Sequence, residues 1–387
     1  MSTAPDQAAQ VQTQTPCTAD LQTALRRQRV KAALANLYIG DSLSMPVHWF
    51  YNPGDIVRQF GATGISGLEA APESHPSSIM RLHSTTGGGR SRVQRSGGEE
   101  IVGNVILKGR AHLWGRANGH YHHGMKAGDN TLNTWWAYWL TRYLLENKQY
   151  DAKQWINEYI AHMTADPPAH PDTYAESCHR GFFANLAAGK TPTESGAVTH
   201  DTPSMGALVT VAPLALALLG SNQDLKQVCE TCKAHVWLTH PDKDLMHVVE
   251  AYVVLMNALL NAQTSDDIPA LIVAASKVIS GANVQKLLAS GIADNVVVGR
   301  TFSLACYITD SWPSVCFLAA KYHDDANRGL LRNTNLGGEN AHRGSVLGTV
   351  LGLASGQFND QWYAGLSLQP ALNEQLEHYL DCFYPAE

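Results

Sequence analysis

The feature that constrains this chain most is a run of glycines four residues apart, Gly344, Gly348, Gly352 and Gly356, in an otherwise small and apolar stretch. On a helix such positions share one face, and a face without Cβ atoms lets another backbone come close. A glycine inside a helix is destabilising by ~1 kcal/mol relative to alanine, so tight packing has to compensate. The N-terminus of this helix, with its free N–H groups and positive dipole end, is therefore expected deep inside the molecule. The preceding loop, Asn333 to Arg343, brings Glu339, Asn340, His342 and Arg343 there. Two readings fit: an active-site floor, or a glycine-rich core helix behind an ordinary capping loop.

A chain of 387 residues buries a sizeable core as one large domain or two medium ones. Charged residues make up only 16% and the net charge is −6, which points to much buried surface and away from nucleic acid or an anionic membrane as partner. No apolar run is long enough to cross a bilayer, and the N-terminus lacks a signal-peptide layout. Seven scattered cysteines suit a reducing compartment. The expectation is a soluble, cytoplasmic protein, monomer or homodimer, acting on a small molecule.

Residues 1–20, poor in large apolar side chains, are expected to form a disordered tail. From Leu21 apolar residues recur at helical steps, and the helix is expected to stop at Gly40-Asp41-Ser42-Leu43-Ser44-Met45-Pro46, with Gly40 as C-cap. Asp41 there either lines a pocket or caps a turn. Residues 61–100 are rich in glycine, serine and arginine (Arg81, Arg90, Arg92, Arg95), as in a long loop: a lid drawing in an anionic substrate, or a solvated surface segment. His120, His122 and His123 crowd one loop without the spaced partners of a zinc site, so they serve as substrate contacts or structural hydrogen bonds.

After them Asp129-Asn130-Thr131 opens a helix carrying Trp135, Trp136 and Trp139, with Asp129 or Thr131 as its cap. This is the second helix start with an acid followed by asparagine, the first being Glu339-Asn340, and two such termini can converge on one pocket. Ser204-Met205 starts an apolar helix, His240-Pro241-Asp242 starts another, and the Cys229-Glu-Thr-Cys232 pair lies in a helical pattern without redox context. Strand signals are poor throughout. The chain reads as an all-α protein, a single domain over 21–387 made of a dozen or so helices.

The order of these motifs resembles the ADP-ribosylglycohydrolase family, which also includes a lens crystallin. The matching boxes are Gly40-Asp41-Ser42-Leu43 through Pro46, Gly128-Asp129-Asn130-Thr131, Ser204-Met205 through Leu214, Thr239-His240-Pro241-Asp242, and Asn335-Leu-Gly-Gly-Glu339-Asn340-Ala341-His342. The resemblance implies an orthogonal multi-helix bundle and removal of ADP-ribose at two magnesium or manganese ions held by Thr-Asp-Asp and Asp-x-Asp-Thr boxes. Here those boxes hold Gly128-Asp129-Asn130 and Glu339-Asn340-Ala341-His342, so four carboxylates have fallen to two. Two hard cations would be poorly neutralised. Either no ion or one weak magnesium or manganese on Asp129 and Glu339 is expected.

What the boxes retain suits acid–base work: Glu339 as base, with His342 or Asp129 as acid. Asn130, Asn340, Arg343, His122, His123, Asp41, His240 and Ser204 would bind substrate. The reaction expected is hydrolysis of an N-glycosidic or other C–N bond. A lyase, isomerase or cyclase on the same fold, and a ligand-binding or crystallin-like structural protein, are the alternatives.

Overall fold

In the computed structural model, residues 18–90, 99–263 and 266–386 are described. The helices run in the order α1 Thr18–Ser44, α2 Pro53–Phe60, α3 Leu132–Asn147, α4 Ala152–Met163, α5 Ser177–Ala187, α6 Val211–Gly220, α7 Leu225–Trp237 and α8 Lys243–Asn261. They continue with α9 Ile268–Ser276, α10 Val284–Ala289, α11 Asp294–Val297, α12 Ile308–Lys321, α13 Ala326–Leu336, α14 Asn340–Ser355, α15 Asp360–Ala364 and α16 Gln369–Phe383. Extended pairing among the described residues is limited to isolated bridges, such as Ser74 with Gly119 and Ser204 with Tyr307. The fold is all-α, as its residue pattern requires, and among the described residues no helix is long and apolar enough to cross a membrane.

The glycine stripe sits at the centre. A Cβ on Gly344 would lie 2.5 Å from the Gly40 carbonyl oxygen, one on Gly348 2.2 Å from that of Asn36, and one on Gly352 2.4 Å from the Ala33 amide nitrogen. α14 therefore lies backbone to backbone on α1. Gly356 does something else: at φ 67° it takes the left-handed conformation that ends α14, and its N–H bonds the Gly352 carbonyl. α6, apolar on every side, is buried from Val211 to Leu219. Local caps fall where the sequence offers them, Asp151, Asp224, Asp242 and Asp325 each accepting from backbone N–H groups of the helix they precede.

Two local expectations need correction. α1 does not stop at Gly40; it runs four residues further to Ser44 and passes into a 3-10 turn, Met45–Val47. Gly40 is glycine because Gly344 touches it, a Cβ there lying 2.2 Å from the Gly344 carbonyl oxygen, and Asp41 is thereby kept on the buried end of a helix. Nor does Asp129 or Thr131 cap α3 with its side chain. The α3 terminus is capped across the fold: Asp41 Oδ2 accepts from the Thr131 N–H at 2.7 Å and Asp172 Oδ2 from the Leu132 N–H at 2.8 Å.

Residues 61–90 form an irregular segment with one 3-10 turn, Met80–Leu82; of the tail expected over residues 1–20, residues 18–20 instead belong to α1, and residues 1–17, like Arg92 and Arg95, lie outside the described residues. Arg180 of α5 holds the glycine run by donating to the carbonyls of Gly87 and Gly89, both at 3.2 Å. Cys229 and Cys232 are buried free thiols on α7.

Candidate active site

The loop after α1 and the loop before α14 are joined by a pair of backbone hydrogen bonds. Trp49 N–H donates to Gly338 O and Gly338 N–H to Phe50 O, each at 2.8 Å. The approach needs two glycines in sequence: Gly337 and Gly338 both have positive φ, and Cβ atoms on them would strike Phe50 O at 2.1 Å and Leu304 O at 2.3 Å. Trp49 itself has φ 62°, a conformation rarely held by a bulky residue except at functional positions. Its indole stacks on the His48 ring at 3.7 Å and donates from Nε1 to Glu339 Oε2.

From this junction a polar chain crosses the core. Asp172 accepts from the Leu132 and Tyr174 N–H groups (2.8 and 3.1 Å) and from His122 Nδ1 at 2.8 Å. His122 Nε2 and His48 Nδ1 are 2.8 Å apart. His48 Nε2 then faces Glu339 Oε2 at 3.5 Å, Glu339 Oε1 lies against His342 Nδ1, and Glu176 Oε1 lies 3.7 Å beyond that nitrogen. Asn133, in the first turn of α3, donates to Glu176 Oε2 at 2.8 Å while its own oxygen meets His179 Nε2 at 3.1 Å. Asp172, His122, His48, Glu339 and His342 are all buried; Glu176 is only partly so.

Burial and charge pull these groups apart. Burial presses His48 down to about 3. At Glu339 burial would raise the pKa, but His342 and His48 outweigh it and hold the carboxyl well below its usual range. At His342 burial would lower it, but Glu176 and Glu339 prevail and push it up to about 10. Glu176 moves up through burial, with His342 opposing and Glu339 adding to the rise. One carboxylate held ionised and another pushed toward its acid form, with an imidazole between them, is an arrangement suited to acid–base work.

Glu176 opens onto a cleft of about 120 Å³ walled by Trp49, Tyr121, Tyr174 and Tyr307, with Arg90 and the ion pair His200–Asp201 (2.9 Å) also lining it. A larger concavity of about 740 Å³, bordered by Thr86, Gly88, Ala184 and Thr199, has Glu99 and Lys190 as its charged groups among the described residues. The smaller one is the one that Glu176 of the buried polar chain reaches.

Of the residues singled out from sequence, Glu339, His342 and His122 meet in this chain. Asp41 lies nearby, where its charge acts on His342, but its oxygens are taken by Asn130 Nδ2, the Thr131 N–H and the hydroxyls of Thr131 and Thr134. His240 is buried close enough for His342 to act on it, with Nδ1 bonded to Thr239. Ser204 pairs with Tyr307 of the cleft wall through its backbone.

The others are not brought together. Asp129 is on the outer side of its turn, bonded to Lys126 N–H and Ser367 Oγ. His123 meets Arg116 near the surface. Asn130 ties to Tyr38 O and Asp41, Asn340 to Thr334 O, and Arg343 to Asn333 and Gly337. His48, Trp49 and Glu176 went unnoticed in the sequence. The available signal for the first two was their position, directly after the Gly-Asp-Ser-Leu-Ser-Met-Pro box; Glu176 had none.

A model of the ADP-ribosylglycohydrolase family matches residues 22–384. The chain belongs to the ADP-ribosylglycohydrolase family. A solved structure described as an ADP-ribosylglycohydrolase-related protein complex superposes with a TM-score of 0.56 at 17% identity, over 94% of this chain and 100% of that one, a likeness of fold. No curated protein matches. Membership places the chain among hydrolase-like proteins and accounts for the helical bundle.

The two-ion magnesium or manganese centre implied by the family does not fit the residues here. Asn130 is spent on Tyr38 and Asp41, Ala341 offers no donor, and Asp129 is turned to the outer surface with both oxygens bonded. Glu339 is left as the one carboxylate of the two boxes at the centre. The single hard ion expected between Asp129 and Glu339 fails for the same reason, since these two carboxylates do not meet.

Proposed function

We propose that this protein hydrolyses a C–N bond, N-glycosidic or amide in type, of a small polar or anionic substrate held in the aromatic cleft. Glu176 is the group that exchanges protons with the substrate. Glu339 and His342 lie behind it. The observation that carries this reading is the position of Glu176: it is partly exposed at the cleft, oriented by Asn133 Nδ2, and backed by the buried His342–Glu339 pair. A carboxyl with a raised pKa in such a place can give a proton to a leaving nitrogen, or take one from water.

In the reaction the water oxygen bonds to the carbon as the C–N bond breaks. The proton released by water passes to Glu176 and from it to the departing nitrogen, so the carboxyl ends as it began. Positive charge on His342 steadies negative charge developing beside it, and burial strengthens that effect. Arg90 at the cleft favours an anionic substrate group. The cleft volume is well below the ~300–1,000 Å³ of sites for drug-sized ligands, which supports a substrate of one small ring or short chain in this conformation.

The test is a panel of small N-glycosides and amides, assayed in ¹⁸O-labelled water. Label in the product is expected for whichever substrate turns over. Turnover without label would replace hydrolysis by elimination or isomerisation on the same groups. Glu176→Gln should lower kcat by ~10²- to 10⁴-fold with the melting temperature nearly unchanged; full activity in that variant would sink the assignment.

A further inference from the structure

Three buried ligand atoms without hydrogen-bond partners lie behind Trp49 and Glu176 of the cleft wall: His48 Nε2, Glu339 Oε1 and His342 Nδ1. One ligand atom from each of the three residues lies within 4.8 Å of the other two. At His48 and Glu339 the free lone pair has a reason visible in the surroundings; His342 Nδ1 gains one when an entering ion displaces its proton. Asp172 accepts two backbone N–H bonds and is ionised, so His122 Nδ1 carries the proton of their bond. The other nitrogen of His122 then accepts from His48 Nδ1–H, which leaves His48 Nε2 as a bare acceptor. Trp49 occupies Glu339 Oε2 and frees Oε1. The contact of His342 Nδ1 with Glu339 Oε1 is close, but off the direction of a hydrogen bond, and neither atom has another such partner.

We propose that His48, Glu339 and His342 form a binding site for one divalent transition-metal ion of the zinc class. Two imidazoles and a carboxylate are a ligand set of catalytic zinc and of other first-row ions, with remaining positions open to water or substrate. Magnesium prefers an all-oxygen shell and gains little from imidazole. The surroundings match what metal-bound histidines need, because the second ring nitrogen of His48 is fixed through His122 to a carboxylate. The ligands also come from two rigid places, the turn after α1 and the first turn of α14, stitched together through Gly338. Glu176 stands at the edge of the trio on the cleft side, where it can exchange a proton with a water held by the ion.

This inference rests on the proposed function and deepens it: the ion would supply the positive charge that the protonated His342 supplies in the metal-free chain. Its test reads metal instead of turnover, so that either proposal can fail alone. The full chain, stripped with a chelator and dialysed, is titrated calorimetrically with Zn²⁺ alone and with Mg²⁺ alone. Bound metal is then counted by mass spectrometry. One zinc per chain and no magnesium are expected.

His48→Gln and His342→Gln should each lower zinc affinity by more than 100-fold, whereas Asp172→Asn, which touches no ligand, should lower it by ~10- to 100-fold. His123→Gln, at the surface, should leave it unchanged. Should the ligand variants fail to fold, Co²⁺ loading of the wild-type chain decides: visible ligand-field bands that Zn²⁺ displaces support nitrogen ligation. The proposal is overturned if the wild-type chain takes up neither ion, or if zinc binds His48→Gln and His342→Gln as tightly as the wild type.

Discussion

Arg343 is a fully buried guanidinium whose hydrogen bonds all run to amide oxygens: Nε to Asn333 Oδ1 at 2.7 Å, Nη2 to Gly337 O at 2.8 Å and to Asn333 O at 3.5 Å. It clamps the end of α13 onto the start of α14 and so positions the Gly337-Gly338 turn. A lysine keeps the charge but cannot reproduce the fork. Arg343→Lys should therefore reduce stability by ~2–4 kcal/mol, the range for unsatisfied buried groups around a charge, read by urea denaturation at neutral pH. If Arg343 instead anchored substrate, stability would hold and only substrate affinity would fall. Sequence alone could not separate these roles, because a polar residue beside an active-site acid looks the same whether it faces the cleft or the helix behind it. The same limit explains Asp129. Its neighbours in sequence marked it as a ligand, and only the fold shows that the acids delivered to the α3 terminus are Asp41 and Asp172.

At the scale of elements, the pairing of α1 with α14 was legible in advance, since glycines at 344, 348 and 352 share a helical face and nothing but close packing justifies them. Its partner surface was less so: Gly40 carries the local signature of a helix end, and its true role depends on a residue some three hundred positions later. Methyl groups have no room at this contact. Gly344→Ala should thus force the two helices apart, costing about 1–3 kcal/mol or more as overpacking does, with a matching fall in Tm. Gly356→Ala tests a different mechanism, because a Cβ there meets only the Gln28 side chain at 3.4 Å or beyond and the strain is that of φ 67°. Its penalty should be about 1–2 kcal/mol, the price of a left-handed residue with a side chain. Equal penalties at the two positions would mean that the interhelical contact is looser than described. The site inherits this rigidity, for the α14 terminus that carries Glu339 and His342 begins at the same contact.

For the molecule as a whole, the unusual property is how many histidines it buries as neutral groups. Burial lowers His75 and His170 to about 4 and His235 and His240 to about 3. His235, for example, sits between the hydroxyls of Tyr150 (2.8 Å) and Thr210 (2.9 Å). In the unfolded chain each returns to its ordinary value near 6.5. Between that value and the folded one, the unfolded state binds protons that the folded state refuses, so stability falls as the pH drops and is fully present only above about 6.5. Each such histidine contributes a slope of up to ~1.4 kcal/mol per pH unit. His342 does not offset the loss, since its pKa is raised and it is protonated in both states over this window. The protein should therefore lose stability steeply between about pH 6.5 and 4.5, before most carboxylates titrate. His235→Gln should flatten the plot of unfolding free energy against pH by close to one proton in that window, whatever it does to stability at neutral pH. The check is a set of urea titrations at several pH values on wild type and variant. Parallel slopes would show that His235 takes up its proton in the folded state, and that the hydroxyl pair around it does not hold the ring neutral.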